Sequence, residues 1–132
     1  TLIDTFLTLQ AMQIQFFVIR HREVGVPALL VSYAKPGVSI INAGDGNHAH
    51  PSQALLDMLT IYEHRQSFEQ LSVAIIGDVA HSRVARSNVQ ALQKLGVRDI
   101  RVIAPPHLQG SHDLPGNIHF TADLEQGVQD TD

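Results

Sequence analysis

Two hydrophobic rhythms alternate along this chain. Leu2, Phe6 and Leu9 recur at helical spacing, with Asp4 near the helix start, and the pattern gives way at Gln13 to the β-rich run IQFFVI. Pro27 opens a short helical stretch, PALLVSY; Pro36-Gly37 makes a turn; Val38 to Ile41 reads as a second strand, followed by a loop over 42–50. Pro51 then begins the longest helix, with Leu55, Met58, Leu59 and Tyr62 on one face, running to about His64 or Arg65. After the polar stretch 65–70 come the strand SVAIIG, the loop GDVAHSR and a helix from about Ser82 to Leu95, with Gly96 in the position that closes it. A strand at 100–103, the turn-rich stretch APPHLQGSHDLPGN, a short strand at 118–120 and a helical fragment from Ala122 complete the series. Such alternation predicts an α/β protein with parallel sheet and helical crossovers. The break near 66–70 divides it into two lobes, 1–66 and 67–132, joined by the long helix.

Composition narrows this without redirecting it. Of 132 residues, 44% are apolar and 17% charged, so the chain is globular, and no run approaches the ~18 apolar residues of a membrane span. The first ten residues, TLIDTFLTLQ, lack the basic-then-apolar order of a secretory signal. The absence of cysteine excludes a disulfide framework, a thiolate zinc site and a cysteine nucleophile, and fits the cytoplasm. A net charge of −4 argues against nucleic acid as a partner.

In open parallel sheets, ligands sit beyond the carboxyl ends of the strands, where helix N-termini also present unpaired N–H groups. Three polar clusters fall there: Arg20-His21-Arg22 after FFVI, His48 to Gln53 after the second strand, and Gly77 to Arg83 after SVAII. All three are expected to face one crevice. With Pro51 as the first helical residue, His50 takes the N-cap and Ser52 and Gln53 lie in the first turn. Imidazole and amide donors at an electropositive helix end suit an anionic substrate with a carbonyl to be polarised, while an arginine takes its phosphate or carboxylate. A plain helix cap is the alternative for His50 alone; its combination with NAGDG and two arginine-bearing strand ends favours a site.

Competing chemistries fare worse. His48 and His50 lack a third ligand for a metal, and neither G-x-G-x-x-G nor G-x-x-x-x-G-K-[ST] occurs. Asp78 reads as a loop anchor that accepts backbone N–H bonds, and His81 as packing or hydrogen-bonding within the same loop. Arg86 reads as a solvated helix residue. His64, His107, His112 and His119 read as structural or exposed.

The stretches NAGDGNHAHPSQALLDMLTI and GDVAHSRVARSN, together with TLIDT, FFVIRHRE and IRVIAP, closely resemble the aspartate carbamoyltransferase family of pyrimidine biosynthesis, almost end to end. HPSQ is shared with ornithine carbamoyltransferases and specifies only carbamoyl transfer; the arginine at Arg83 is the mark of the aspartate enzymes. The resemblance implies two parallel-sheet α/β lobes of the aspartate/ornithine carbamoyltransferase type, both incomplete here, the first binding carbamoyl phosphate and the second L-aspartate. It implies that Arg20 binds carbamoyl phosphate, that His50 donates to its carbonyl oxygen, that Gln53 holds its carbamoyl amide, and that Arg83 grips a carboxylate of L-aspartate. Arg20 and His50 are then the catalytic pair, with no metal and no organic cofactor. A homotrimer is implied as well, and the family leaves room for a regulatory or dihydroorotase-like partner; nucleic acid and membrane have no part.

Departures from the family pattern are equally specific. The Ser-Thr-Arg-Thr phosphate loop, the lysine contributed by a neighbouring subunit, the second aspartate-binding arginine and the His-Pro-Leu-Pro loop are absent from these residues. The chain is therefore expected to be an internal portion of a longer enzyme, with little turnover on its own. Two alternatives stand beside that expectation: a catalytically inactive homologue serving as an assembly or regulatory partner, and an ornithine carbamoyltransferase, which the arginine at Arg83 disfavours.

Overall fold

In the computed structural model, which describes residues 1–110 and 114–132, the chain divides by packing into two units, Thr1–Ser52 and Gln53–Asp132. His112 and part of the turn-rich stretch around it lie outside the described residues.

Unit 1 runs α1 (Leu2–Ala11), β1 (Phe16–His21), α2 (Val26–Val31) and β2 (Ser39–Asp45). Thr1 and Asp4 form a reciprocal capping box that starts α1, and Pro27 sits in the first turn of α2, where its missing N–H costs nothing. β1 and β2 pair in parallel, Phe17 beside Ile40 and Val18 beside Ile41. Phe6, Phe17, Val26 and Leu30 form the core; the Phe6 and Phe17 rings meet edge to face at 4.7 Å. Burial of Leu30, which is wholly enclosed, contributes on the order of 2 kcal/mol. The buried Gln10 carboxamide ties α1 to the α2–β2 connection, donating to Tyr33 O (3.1 Å) and accepting from Lys35 N (2.8 Å).

Two expectations need correction here. β1 continues through Arg20 and His21, so these residues belong to the strand rather than to the loop after it. β2 continues through Asn42 to Asp45, so the expected loop 42–50 shrinks to the short connection after Asp45. Tertiary pairing causes both extensions: after an irregularity past Ile19, His21 lies beside Asp45, and Gly46 N donates to His21 O.

α3 (Pro51–Arg65) starts at the junction, and unit 2 continues with β3 (Ser72–Ile76), α4 (Arg83–Lys94), β4 (Asp99–Ile103), β5 (His119–Thr121) and α5 (Leu124–Val128). A 3-10 turn, Pro106–Leu108, lies between β4 and β5. The strands form one parallel sheet in the order β3-β4-β5. Met58 of α3 joins Leu71, Val89, Leu92, Val97 and Ile100 in the main core, with Ile61 and Phe68 packed against it. α3 thus packs with the second unit, although the sequence places it with the first lobe. Ser82 caps α4 by accepting from Ala85 N (3.1 Å), and Gly96, at φ +89°, closes it.

Candidate functional site

The site residues are presented by strand-to-helix connections. In unit 1, Arg20 is the penultimate residue of β1 and is exposed; His21 beside it accepts Glu23 N on Nδ1 (3.0 Å). From the end of β2 the chain turns tightly: His48 N donates to Asp45 O (2.8 Å), and Asp45 N donates to Ala49 O (2.8 Å). His50 follows, half-buried, directly before Pro51, with its Nδ1 3.4 Å from Ser52 Oγ. The aspartate at the root of this connection is buried, and its Oδ1 accepts from Gly25 N at 2.7 Å. Gly25, at φ +88°, is the residue from which α2 starts. One carboxylate therefore locks both strand-to-helix connections of unit 1 together. Sequence reasoning took Asp45 only as part of NAGDG; its signal was an acid held between glycines at the end of an apolar strand.

In unit 2, Gln53 lies in the first turn of α3 and Arg83 is the first residue of α4; both are half-buried. Gln53 Nε2 donates to Asp57 Oδ1 (2.8 Å), one helical turn on, and Asn88 Nδ2 of α4 donates to Asp57 Oδ2 (2.8 Å). Asp57 went unremarked in the sequence, although four-residue spacing from Gln53 on a helix was a usable signal. Asn88 carries no comparable signal, being 31 positions away. The loop after β3 behaves as read: Asp78 Oδ1 accepts from His81 N (3.1 Å) and lies 2.9 Å from His81 Nδ1. That hydrogen bond to His81 holds the Asp78 carboxyl below the ordinary carboxylate range. Arg86 is half-buried rather than a solvated helix residue, since its side of α4 also carries the buried Val89. His64, His107 and His119 are exposed.

A second charged cluster in unit 2 is structural. Arg101 of β4 pairs with Asp99 (2.7 Å) and donates to the carbonyls of Gly127 (3.2 Å) and Gln129 (2.7 Å), clamping the end of α5 to the sheet. Hydrogen bonds from Arg101, and then from Ser72, lower the Asp99 carboxyl. Among the described residues no group of three or more His, Asp or Glu is arranged to hold a metal ion, and no helix is long and apolar enough to cross a membrane.

Residues 1–63 match the family model for the aspartate/ornithine carbamoyltransferase carbamoyl-P binding domain. Over 131 residues the chain is 54% identical to the aspartate carbamoyltransferase catalytic subunit of Vesicomyosocius okutanii subsp. Calyptogena okutanii and 53% identical to that of Ruthia magnifica subsp. Calyptogena magnifica. Each match takes in 99% of this chain and 41% of the relative, so the chain spans about two fifths of the length of these curated relatives. Among solved structures, aspartate transcarbamoylase from Trypanosoma cruzi with N-(phosphonacetyl)-L-aspartic acid superimposes with a TM-score of 0.85 at 30% identity, over 100% of this chain and 48% of that one. The same enzyme with carbamoyl phosphate and aspartate gives 0.86, over 47% of its chain. Sequence and fold thus agree: residues 1–63 match the carbamoyl-P binding domain of aspartate/ornithine carbamoyltransferases, and the chain as a whole is similar to part of the aspartate carbamoyltransferase catalytic subunits.

Proposed function

We propose that this chain supplies part of an aspartate carbamoyltransferase, which moves the carbamoyl group of carbamoyl phosphate to the amine of L-aspartate and yields N-carbamoyl-L-aspartate and phosphate in pyrimidine biosynthesis. The observation that carries this reading is 54% identity along 99% of the chain to a relative named for that activity. The Trypanosoma cruzi enzyme, similar in fold throughout this chain, has been solved with carbamoyl aspartate and phosphate. Residues 1–66 supply part of the carbamoyl phosphate lobe with the linking helix, whose Met58 packs into the core of the second unit, and 67–132 part of the aspartate lobe. The enzyme is cytoplasmic and trimeric, and works without a cofactor.

In this reading Arg20 binds the phosphate, His50 donates to the carbamoyl oxygen, Gln53 holds the carbamoyl amide and Arg83 grips an aspartate carboxylate. The amine attacks the carbamoyl carbon as its C–N bond forms, and negative charge gathers on the oxygen facing His50. The C–O bond to phosphate then breaks, and the departing phosphate takes the proton released by the amine. A donor fixed before reaction stabilises that charge without reorganising.

The test is made with these residues inside a full-length catalytic chain. His50→Ala lowers kcat by about 10² to 10³; unchanged turnover refutes its role. Arg83→Ala mainly raises the KM for aspartate and substitution of Arg20 that for carbamoyl phosphate, and the opposite pattern refutes the assignment.

A further inference from the structure

The Gln53–Asp57–Asn88 chain of hydrogen bonds has a direction, and the direction has a consequence for the substrate. A carboxylate accepts and cannot donate, so only the amide nitrogens of Gln53 and Asn88 can face Asp57. Both do, each at 2.8 Å and each on its own carboxylate oxygen. With its nitrogen committed to Asp57, the planar Gln53 carboxamide must turn its carbonyl oxygen the other way. A carbamoyl –NH2 group needs an acceptor, so this is the flip that recognises it; the reverse flip would present a donor to a donor. Asn88 holds the far side of Asp57 at some expense, because its Oδ1 is buried without a hydrogen-bond partner among the described residues. An apolar residue there would avoid that cost and lose the tie between α3 and α4.

We propose that Asp57 is a positioning residue that fixes the Gln53 carboxamide with its carbonyl oxygen toward the substrate's carbamoyl –NH2, and that Asn88 braces Asp57 from α4. The functional half of this inference rests on the carbamoyl transfer reading; the positioning half does not. Since α4 opens with Arg83, the same brace links the helix bearing the carbamoyl contact to the helix bearing the aspartate contact.

Side-chain amide NMR on the 132-residue chain tests the positioning directly. Asp57→Asn and Asn88→Ala both move the Gln53 carboxamide resonances, Asp57→Asn by more, with the remaining spectrum retained. In a full-length catalytic chain, Asp57→Asn raises the KM for carbamoyl phosphate about tenfold while the KM for aspartate changes less than about twofold, and Asn88→Ala gives a smaller rise of the same kind. Gln53 resonances that stay in place in both variants, or losses that fall equally on the two substrates and follow thermal stability, overturn the proposal. Failure of the unaltered full-length chain to transfer a carbamoyl group would instead refute the reading of the reaction, leaving the Gln53 resonances to decide the positioning.

Discussion

The connections after β2 and after β3 begin alike and are secured differently. Each opens on a glycine whose N–H donates to the last carbonyl of the neighbouring parallel strand: Gly46 to His21 O at 2.9 Å, Gly77 to Ile103 O at 3.1 Å. Each has an aspartate beside that glycine. Asp45 is 6% exposed and reaches back 20 residues to Gly25 N, whereas the Asp78 side chain is 48% exposed and contacts His81 only three residues on. The aspartate of the first connection is therefore tied to a distant part of unit 1 and that of the second only to its own loop, which is secured instead through its backbone, Val79 N and Ala80 N donating to Leu108 O at 3.0 and 2.8 Å. His50 emerges from a frame fixed by a long-range bond, while Arg83 follows a loop whose aspartate ties are local.

The two glycines give the largest expected contrast. Both have positive φ, +50° at Gly46 and +116° at Gly77, so alanine at either costs about 1–2 kcal/mol in backbone strain. At Gly46 a Cβ would also lie 2.5 Å from Val24 Cγ2 and 2.9 Å from Val24 N, and a backbone nitrogen cannot rotate aside; at Gly77 nothing lies within 4 Å. Urea denaturation should show Gly46→Ala losing about 3 kcal/mol in total and Gly77→Ala about half that. Equal losses would mean that the first connection yields as readily as the second.

Removing the aspartates sharpens the same contrast. Asp45→Ala strips a half-buried backbone N–H of a charged acceptor and should cost about 2 kcal/mol, with faster hydrogen exchange at Gly25. Asp78→Ala removes a solvent-exposed contact and should cost less, with exchange altered only near His81. A larger loss at Asp78 would reverse the ranking.

What the sequence made legible follows the same line between local and distant contacts. The ends of α4 were readable because Ser82 and Gly96 act within a turn of their own positions, and the α/β alternation was readable because it needs only each element's own period. The true length of β2 was not, because Asp45 joins the strand through His21 and Gly25, residues contributed by another part of the chain. The apolar face of α3 announced burial, yet of its four residues only Met58 is buried, while Leu55, Leu59 and Tyr62 are exposed, and a helix's own period cannot say which lobe Met58 faces. At the candidate site, Arg20, His50, Gln53 and Arg83 were legible as donors near strand ends and helix starts. The carboxylates behind them, Asp45 and Asp57, drew no reading of their own: their local signals, the glycines flanking Asp45 and the four-residue step from Gln53 to Asp57, leave the distant partners Gly25 and Asn88 unseen.

Acid titration followed at His81 probes the aspartate contact of the second connection and carries the smallest expected effect. The hydrogen bond from His81 lowers the Asp78 carboxyl in the folded protein. A group depressed on folding contributes stability that is fully present above its unfolded pKa and is lost as the pH falls through its folded value. The His81 amide proton, bonded to Asp78 Oδ1, reports the change at its site. Followed by NMR between about pH 5 and pH 2, it should shift with a midpoint below that of an ordinary aspartate, and Asp78→Asn should flatten the curve. Because both side chains are largely open to water, global stability should barely register the step. A midpoint at or above the ordinary value would mean that Asp78 leaves the loop in solution, and the second connection would then rest on its backbone bonds to Leu108 O.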